Sequence, residues 1–356
     1  MVGTHWDISW HRSIGRDTFW TPAHIAIYMC GVLAGLSCGY LILSTTIDSA
    51  SPLRSAAVKI WGFRGPLGAF IAAWGGIAMI TSAPFDDWWH NAYGLDVKIL
   101  SPPHVLLITG MVGVQFGALV LILGQMNRVT DGARAKLEWL FLYVGAMIVV
   151  CLMILIFEYA VRVYMHSGFF YRVVSITIPG VLAGVARASG RRWAASIVIG
   201  IYSLFIIGCL WILPLFAATP KLGPVYQHVT HFVPPEFPLL LIAPAVALDW
   251  LWQRGTTWNL WAQAVVSGVV FVAVLALAQW PFASFLMSPA SRNWVFGTIY
   301  FDYNLRPSSH YARYEFAPLE KSATQFWSEM ALAALAAFVT TRLGMSWGNW
   351  MRRIRR

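Results

Sequence analysis

The chain has 356 residues, of which 58% are apolar and 11% charged, and its formal net charge is +10 at pH 7. With a mean hydropathy of +0.62 and charges confined to short segments between long apolar runs, it reads as a polytopic membrane protein and not as a soluble enzyme. No basic stretch interleaved with aromatic residues occurs in a soluble segment, so nucleic acid is not expected as a partner.

In chain order, a polar N-terminal segment comes first, with no short apolar region of the kind a cleavable signal peptide needs. Apolar spans are expected at 21–46, from about 59 to 84, and at 101–126. After a basic loop at 127–136 a fourth follows at 137–160, a fifth at 171–186 that Pro179-Gly180 should kink, and a sixth at 193–217. The run 237–252 gives a seventh, 258–287 an eighth and 325–343 a ninth, with a polar, aromatic-rich loop at 288–322 between the last two. The expectation is an all-α transmembrane helix bundle of about nine spans, surrounded by lipid.

Arg54, Lys59 and Arg64, then Arg128, Arg134 and Lys136, then Arg187, Arg191 and Arg192, then Arg254, and finally Arg342, Arg352, Arg353, Arg355 and Arg356 fall in alternate connections. By the positive-inside rule these connections and the C-terminus are cytoplasmic, and the N-terminus lies outside. Cys30, Cys38, Cys151 and Cys209 all lie inside apolar runs. They form neither a disulfide framework nor a zinc pattern, and read as packing residues.

One constellation occurs twice. Asp7, Trp10-His11, Gly15, Asp17 and Thr21-Pro22-Ala-His24 are echoed by Asp86, Trp89-His90, Gly94, Asp96 and Ser101-Pro102-Pro103-His104. Asp7 with His11, and Asp86 with His90, are four residues apart and share one helix face. Thr21-Pro22 and Ser101-Pro102 mark helix starts. His24 and His104 therefore fall in first turns, where the helix dipole disfavours imidazolium and leaves the neutral ring that binds metal. Two spans separate the motifs, so both emerge on one side of the membrane, the non-cytoplasmic one.

We read Asp7, His11 and His24 as one metal triad, and Asp86, His90 and His104 as a second. A buried imidazole satisfied by a neighbour is the ordinary reading of any one of these residues. Repetition of the whole constellation favours metal, because ionisable groups near membrane depth are expensive and usually functional. Two imidazoles and a carboxylate suit non-haem iron, zinc or copper and leave coordination positions open. Asp17 and Asp96 are candidate acceptors that orient a ligand histidine, or residues that end turns. His228 and His231, with Glu236 and Asp249, lack a matching spacing and read as loop residues. His166 and His310 carry no assignment.

The two motifs resemble the metal-binding segments of the C subunit of the copper membrane monooxygenases, the family of particulate methane and ammonia monooxygenases. The likeness rests on Asp7-x3-His11-x12-His24, running through Trp10-His11-Arg-Ser-Ile-Gly-Arg16-Asp17-Thr18, and on Asp86-x3-His90-x13-His104, where the family usually has Asn in place of Asp86. A second similarity, to the later part of the A subunit, covers Phe232-Val-Pro-Pro to Asp249, Gln279-Trp280-Pro281, and Tyr300 to Arg306 with Tyr311-Ala-Arg313-Tyr-Glu315. The resemblance implies a C-to-A fusion, with a C-like unit at 1–133 and an A-like unit at 134–356. It further implies copper at Asp7, His11 and His24, and copper, iron or zinc at Asp86, His90 and His104, with these six residues catalytic. Also implied are dioxygen as oxidant, a short alkane or ammonia as substrate, a trimer of protomers, a separate cupredoxin-like subunit, and a bacterial or archaeal cytoplasmic membrane. Two readings compete: a metal-binding or assembly membrane protein without oxygenase activity, and a metal or proton transporter built on the internal repeat.

Overall fold

The computed structural model describes residues 1–15, 17–94, 100–129, 131–221, 229–297 and 319–355. Among them are ten α-helices, several short 3-10 turns and one two-stranded hairpin. Eight of the helices are long and apolar enough to cross a membrane: α2 (Pro22–Ile47), α3 (Leu67–Tyr93), α4 (Pro102–Met126), α5 (Asp131–Leu155), α6 (Gly168–Ser189), α7 (Ala194–Ile212), α9 (Leu260–Leu286) and α10 (Ala323–Met351). The chain is an all-α polytopic membrane protein. Helices α1 (Val2–Ser13) and α8 (Ile242–Arg254) are too short to span.

Two helices differ most from their expected extents. The second span starts at Leu67, because β1 (Val58–Ile60) and β2 (Phe63–Gly65) form an antiparallel hairpin before it. Its two-residue turn, Trp61-Gly62, has φ of 49° and 88°. Positive φ at both positions matches the twist of the flanking strands. At its other end α3 does not stop at Pro84. It continues to Tyr93 with Pro84 inside, so the second motif rides on the last turns of a membrane helix. The stretch expected as the seventh span yields the 13-residue α8. Pro234, Pro235 and Pro238 hold the residues before it out of the helical region, and 13 residues reach only about 20 Å.

The contacts divide the chain into two compact units, Met1–Asp7 with Asp17–Cys151 and Trp350–Arg356, and Ile8–Arg16 with Leu152–Asn349. The division falls inside α1, α5 and α10.

In the first unit α3 lies between α2 and α4, and glycines set the spacing. A Cβ on Gly75 would stand 2.5 Å from Val114 N and 2.7 Å from Gly110 O of α4, and one on Gly76 would stand 2.7 Å from Gly31 O of α2. Small residues let membrane helices approach backbone to backbone, where dispersion replaces the missing hydrophobic drive. Ile27, Met79, Met111 and Cys151, one each from α2, α3, α4 and α5, form a buried apolar layer.

In the second unit, proline again decides local structure. Pro179 inside α6 cannot bond the carbonyl of Ser175. Thr340 of α10 brings its hydroxyl 3.0 Å from that oxygen, sharing its proton with Ala336 O at 2.9 Å on its own helix. Ser9 Oγ donates to Val233 O at 2.6 Å and Val233 N donates to Ser13 Oγ at 2.7 Å, so both polar groups of that residue's backbone are satisfied by α1 hydroxyls.

Four substitutions test this packing. Gly75→Val should destabilise the protein by about 1–3 kcal/mol through overpacking, read as a lowered thermal midpoint in detergent. Gly35→Ala, where an added Cβ meets nothing within 4 Å, should leave it unchanged or higher. Thr340→Val should lower the midpoint by leaving a buried carbonyl without its donor, about 1–3 kcal/mol, and Thr340→Ser should restore it.

Candidate metal centre

The first motif is built on α1 and the start of α2. Asp7 and His11 are one turn apart on α1, so helix geometry alone fixes their relation. The chain then reverses before α2, where Thr18 N donates to Thr21 Oγ1 at 2.8 Å. Thr21 is the residue before Pro22, yet its hydroxyl closes this preceding turn and makes no side-chain bond to the helix it starts. The turn presents Thr18 O to His24 Nδ1 at 3.0 Å.

A carbonyl only accepts, so Nδ1 carries the proton toward Thr18 and Nε2 faces the carboxylates. His24 Nε2 is 3.0 Å from Asp7 Oδ1 and 3.5 Å from Asp17 Oδ2. The nearest charges on this ring are thus two carboxylates. Asp17 faces the same nitrogen as Asp7, and the orienting contact expected of it is made by the Thr18 carbonyl.

The second motif repeats the device with different parts. Asp86 and His90 occupy the last turns of α3, and His104 the first turn of α4. His90 Nε2 is 3.4 Å from Asp86 Oδ2, and His104 Nε2 is 3.5 Å from Asp86 Oδ1. His90 Nδ1 is 3.2 Å from Gly94 O. Gly94 has φ of 87°, and its N–H returns to His90 O at 3.0 Å. Only a residue at ease with positive φ turns its carbonyl back on the ring so soon after the helix ends.

The donor sets fit a metal ion. Ligand atoms held at 2.0–2.1 Å from zinc in a tetrahedron stand about 3.3 Å apart, close to the imidazole–carboxylate separations here. A ligand histidine commonly donates its other N–H to a backbone carbonyl, which fixes tautomer and ring orientation, as Thr18 and Gly94 do. Asp7, His11 and His24 offer one donor atom each, all within 4.8 Å of one another. Asp86, His90 and His104 are not gathered to that limit. The second set is looser, with one carboxylate set between two rings.

Two hollows join the sets. The larger, about 280 Å³, is lined by Asp17, Phe19 and His24 and by Asp86, Asp87 and His90. The smaller, about 30 Å³, is lined by Asp7, His24, Asp86 and His104. Tyr28 lines both. Neither Tyr28 nor Asp87 is among the sequence-derived candidates, although Tyr28 follows His24 by one turn and shares its helix face.

Other polar residues have structural partners. His5 on α1 is buried, and burial lowers its pKa to about 4, which makes it a neutral packing histidine. Glu236 pairs with Arg162 at 3.2 Å. Asp249 accepts from Ser196 N at 2.7 Å and Ala195 N at 3.3 Å, capping α7. Burial pushes its carboxyl above the usual range, opposed by those same hydrogen bonds. His231 Nδ1 meets Thr230 Oγ1 at 2.9 Å. His166 stacks on Trp280 with 4.3 Å between ring centroids. Asp96, His228, His310 and the stretch from Tyr300 to Glu315 lie outside the described residues. No protein-family model, no curated protein and no solved structure matches the chain.

Thr21→Val should weaken metal binding by Asp7, His11 and His24 about 10- to 100-fold, the usual effect of losing support behind a ligand histidine. Binding by Asp86, His90 and His104 should be unchanged, which competitive chelator titration of each site would read.

Proposed function

We propose that the protein is a metal-dependent membrane monooxygenase, or the catalytic subunit of one. It uses dioxygen to hydroxylate a small substrate such as a short alkane or ammonia. The observation that carries this reading is the pair of imidazole–carboxylate sets opening on shared hollows at one end of an apolar helical unit. Copper is the metal favoured by the motif resemblance, with iron or zinc compatible with the donors, above all beside Asp86.

Asp7, His11 and His24 would hold one ion, and Asp86, His90 and His104 a second. A bound redox-active ion supplies dioxygen binding and electron transfer. The chain's own part is positional. Thr18 and Gly94 carbonyls fix the rings, and the carboxylates neutralise ion charge. The layer of Ile27, Met79, Met111 and Cys151 keeps one flank of the unit dry, as a reactive site requires. Inserting one oxygen atom and reducing the other to water consumes two electrons and two protons. An external donor is therefore needed, and a separate cupredoxin-like subunit is the partner the resemblance implies. By the distribution of basic residues the hollows face the non-cytoplasmic side, and a trimer is the implied assembly.

A metal-binding or assembly protein without oxygenase activity is the second reading, favoured by the looser second set. A transporter fits less well, because the apolar layer offers no polar relay between the four helices that contribute to it.

Metal content by mass spectrometry on protein in nanodiscs, for wild type, His11→Ala and His90→Ala, is the first test. One or two equivalents of copper, lowered selectively by each substitution, support the reading. Incorporation of ¹⁸O from labelled dioxygen into an alkane or ammonia product then separates enzyme from metal-binding protein. Absence of metal from all three proteins after copper and iron loading would end the proposal.

A further inference from the structure

Tyr28 stands on α2 one turn beyond His24. It lines the hollow that holds Asp17, Asp86 and His90, and also the one that holds Asp7, Asp86 and His104. Its ring is set by Phe19, with centroids 5.2 Å apart, and lies 6.0 Å from the His24 ring. Asp17, Asp86 and Asp87 line the first of these hollows with it, and Asp7 and Asp86 the second. Among the described residues the phenol oxygen has no hydrogen-bond partner.

Neighbouring polar groups are otherwise engaged. Ser82 donates to Met79 O at 2.7 Å, and Asn91 to Asp87 O at 2.8 Å. The Nδ1 atoms of His24 and His90 are turned to Thr18 and Gly94 carbonyls. Ionised carboxylates only accept. Tyr28 is thus a hydrogen-bond donor on the wall of both hollows, without an acceptor of its own.

We propose that Tyr28 is the hydrogen-bond donor for a small anionic ligand, hydroxide or its analogues, held between the two metal sites. This rests on the reading of the two triads as metal sites. Four carboxylates repel an anion from the metal-free hollow, so the ligand binds only once cations fill the sites. Tyr28 then links the sets by holding one ligand within reach of both, and it would control what binds there without being a metal ligand itself.

The test uses azide as the anion. Wild type, Tyr28→Phe and, as a control, Tyr93→Phe are loaded with copper in nanodiscs. Tyr93 is exposed at the end of α3 and belongs to neither hollow. Azide affinity is read from the ligand-to-copper absorption band, alongside copper content and thermal midpoint. Tyr28→Phe should keep wild-type copper and midpoint but bind azide roughly tenfold more weakly, as expected for a lost hydrogen bond to a charged group. Tyr93→Phe should match wild type, and metal-free protein should bind no azide. Unchanged azide affinity in Tyr28→Phe overturns the proposal, and so does a loss of copper, which would make Tyr28 a support for the metal itself. If wild type holds no metal, the reading of the triads fails first, and that result is distinguishable from a copper-loaded variant that binds azide normally.

Discussion

The backbone of α3 runs so close to those of α2 and α4 that Gly75 and Gly76 have no room for a methyl group, and the candidate centre depends on that approach. Consecutive membrane helices alternate in direction, so the beginning of α2, the end of α3 and the beginning of α4 meet at one end of the first unit. His24, the Asp86–His90 pair and His104 sit on those three ends. Wider helix spacing would draw Asp86 away from His104 and His24 away from the hollows they share, whatever the ligand residues were.

Within that frame the rings are aimed by short-range backbone chemistry. His24 and His90 come from opposite kinds of helix terminus, one from a first turn and one from a last. Each nevertheless gives Nδ1–H to a carbonyl in the adjacent turn and presents Nε2 to a carboxylate. Thr21 and Gly94 do the local work by different means, a hydroxyl that braces a turn and a positive φ that reverses a carbonyl. The two sets differ in closeness. Asp7 and His11 are locked one turn apart with His24 gathered to them, whereas Asp86 is set between rings from two different helices.

The apolar surroundings impose the complementary rule that every backbone group must be satisfied inside the protein. Thr340 covers the carbonyl that Pro179 leaves open, Asp249 caps α7, and the hydroxyls of Ser9 and Ser13 bracket Val233. These polar residues thereby have a structural task. That separates them from Asp7, His24, Asp86, His90 and His104, whose mutual contacts surround open space.

Membrane insertion, the number of long helices to within one, and the pairing of Asp7 with His11 and Asp86 with His90 were legible from the chain alone. They follow from local rules of apolar length, helical period and proline-led helix starts. The short α8 was not, because its apolar content resembles a span and only the Pro234, Pro235 and Pro238 cluster argues otherwise. Nor was the run of α3 through Pro84, since a single proline breaks or merely bends a helix according to what packs beside it. The place of Tyr28 needed tertiary structure as well. Its period with His24 is local, but that it faces Asp86 of α3 is a contact between residues far apart in sequence. That the two sets share one space was decided by the packing of α2, α3 and α4, because no periodicity along a chain encodes the distance between helices.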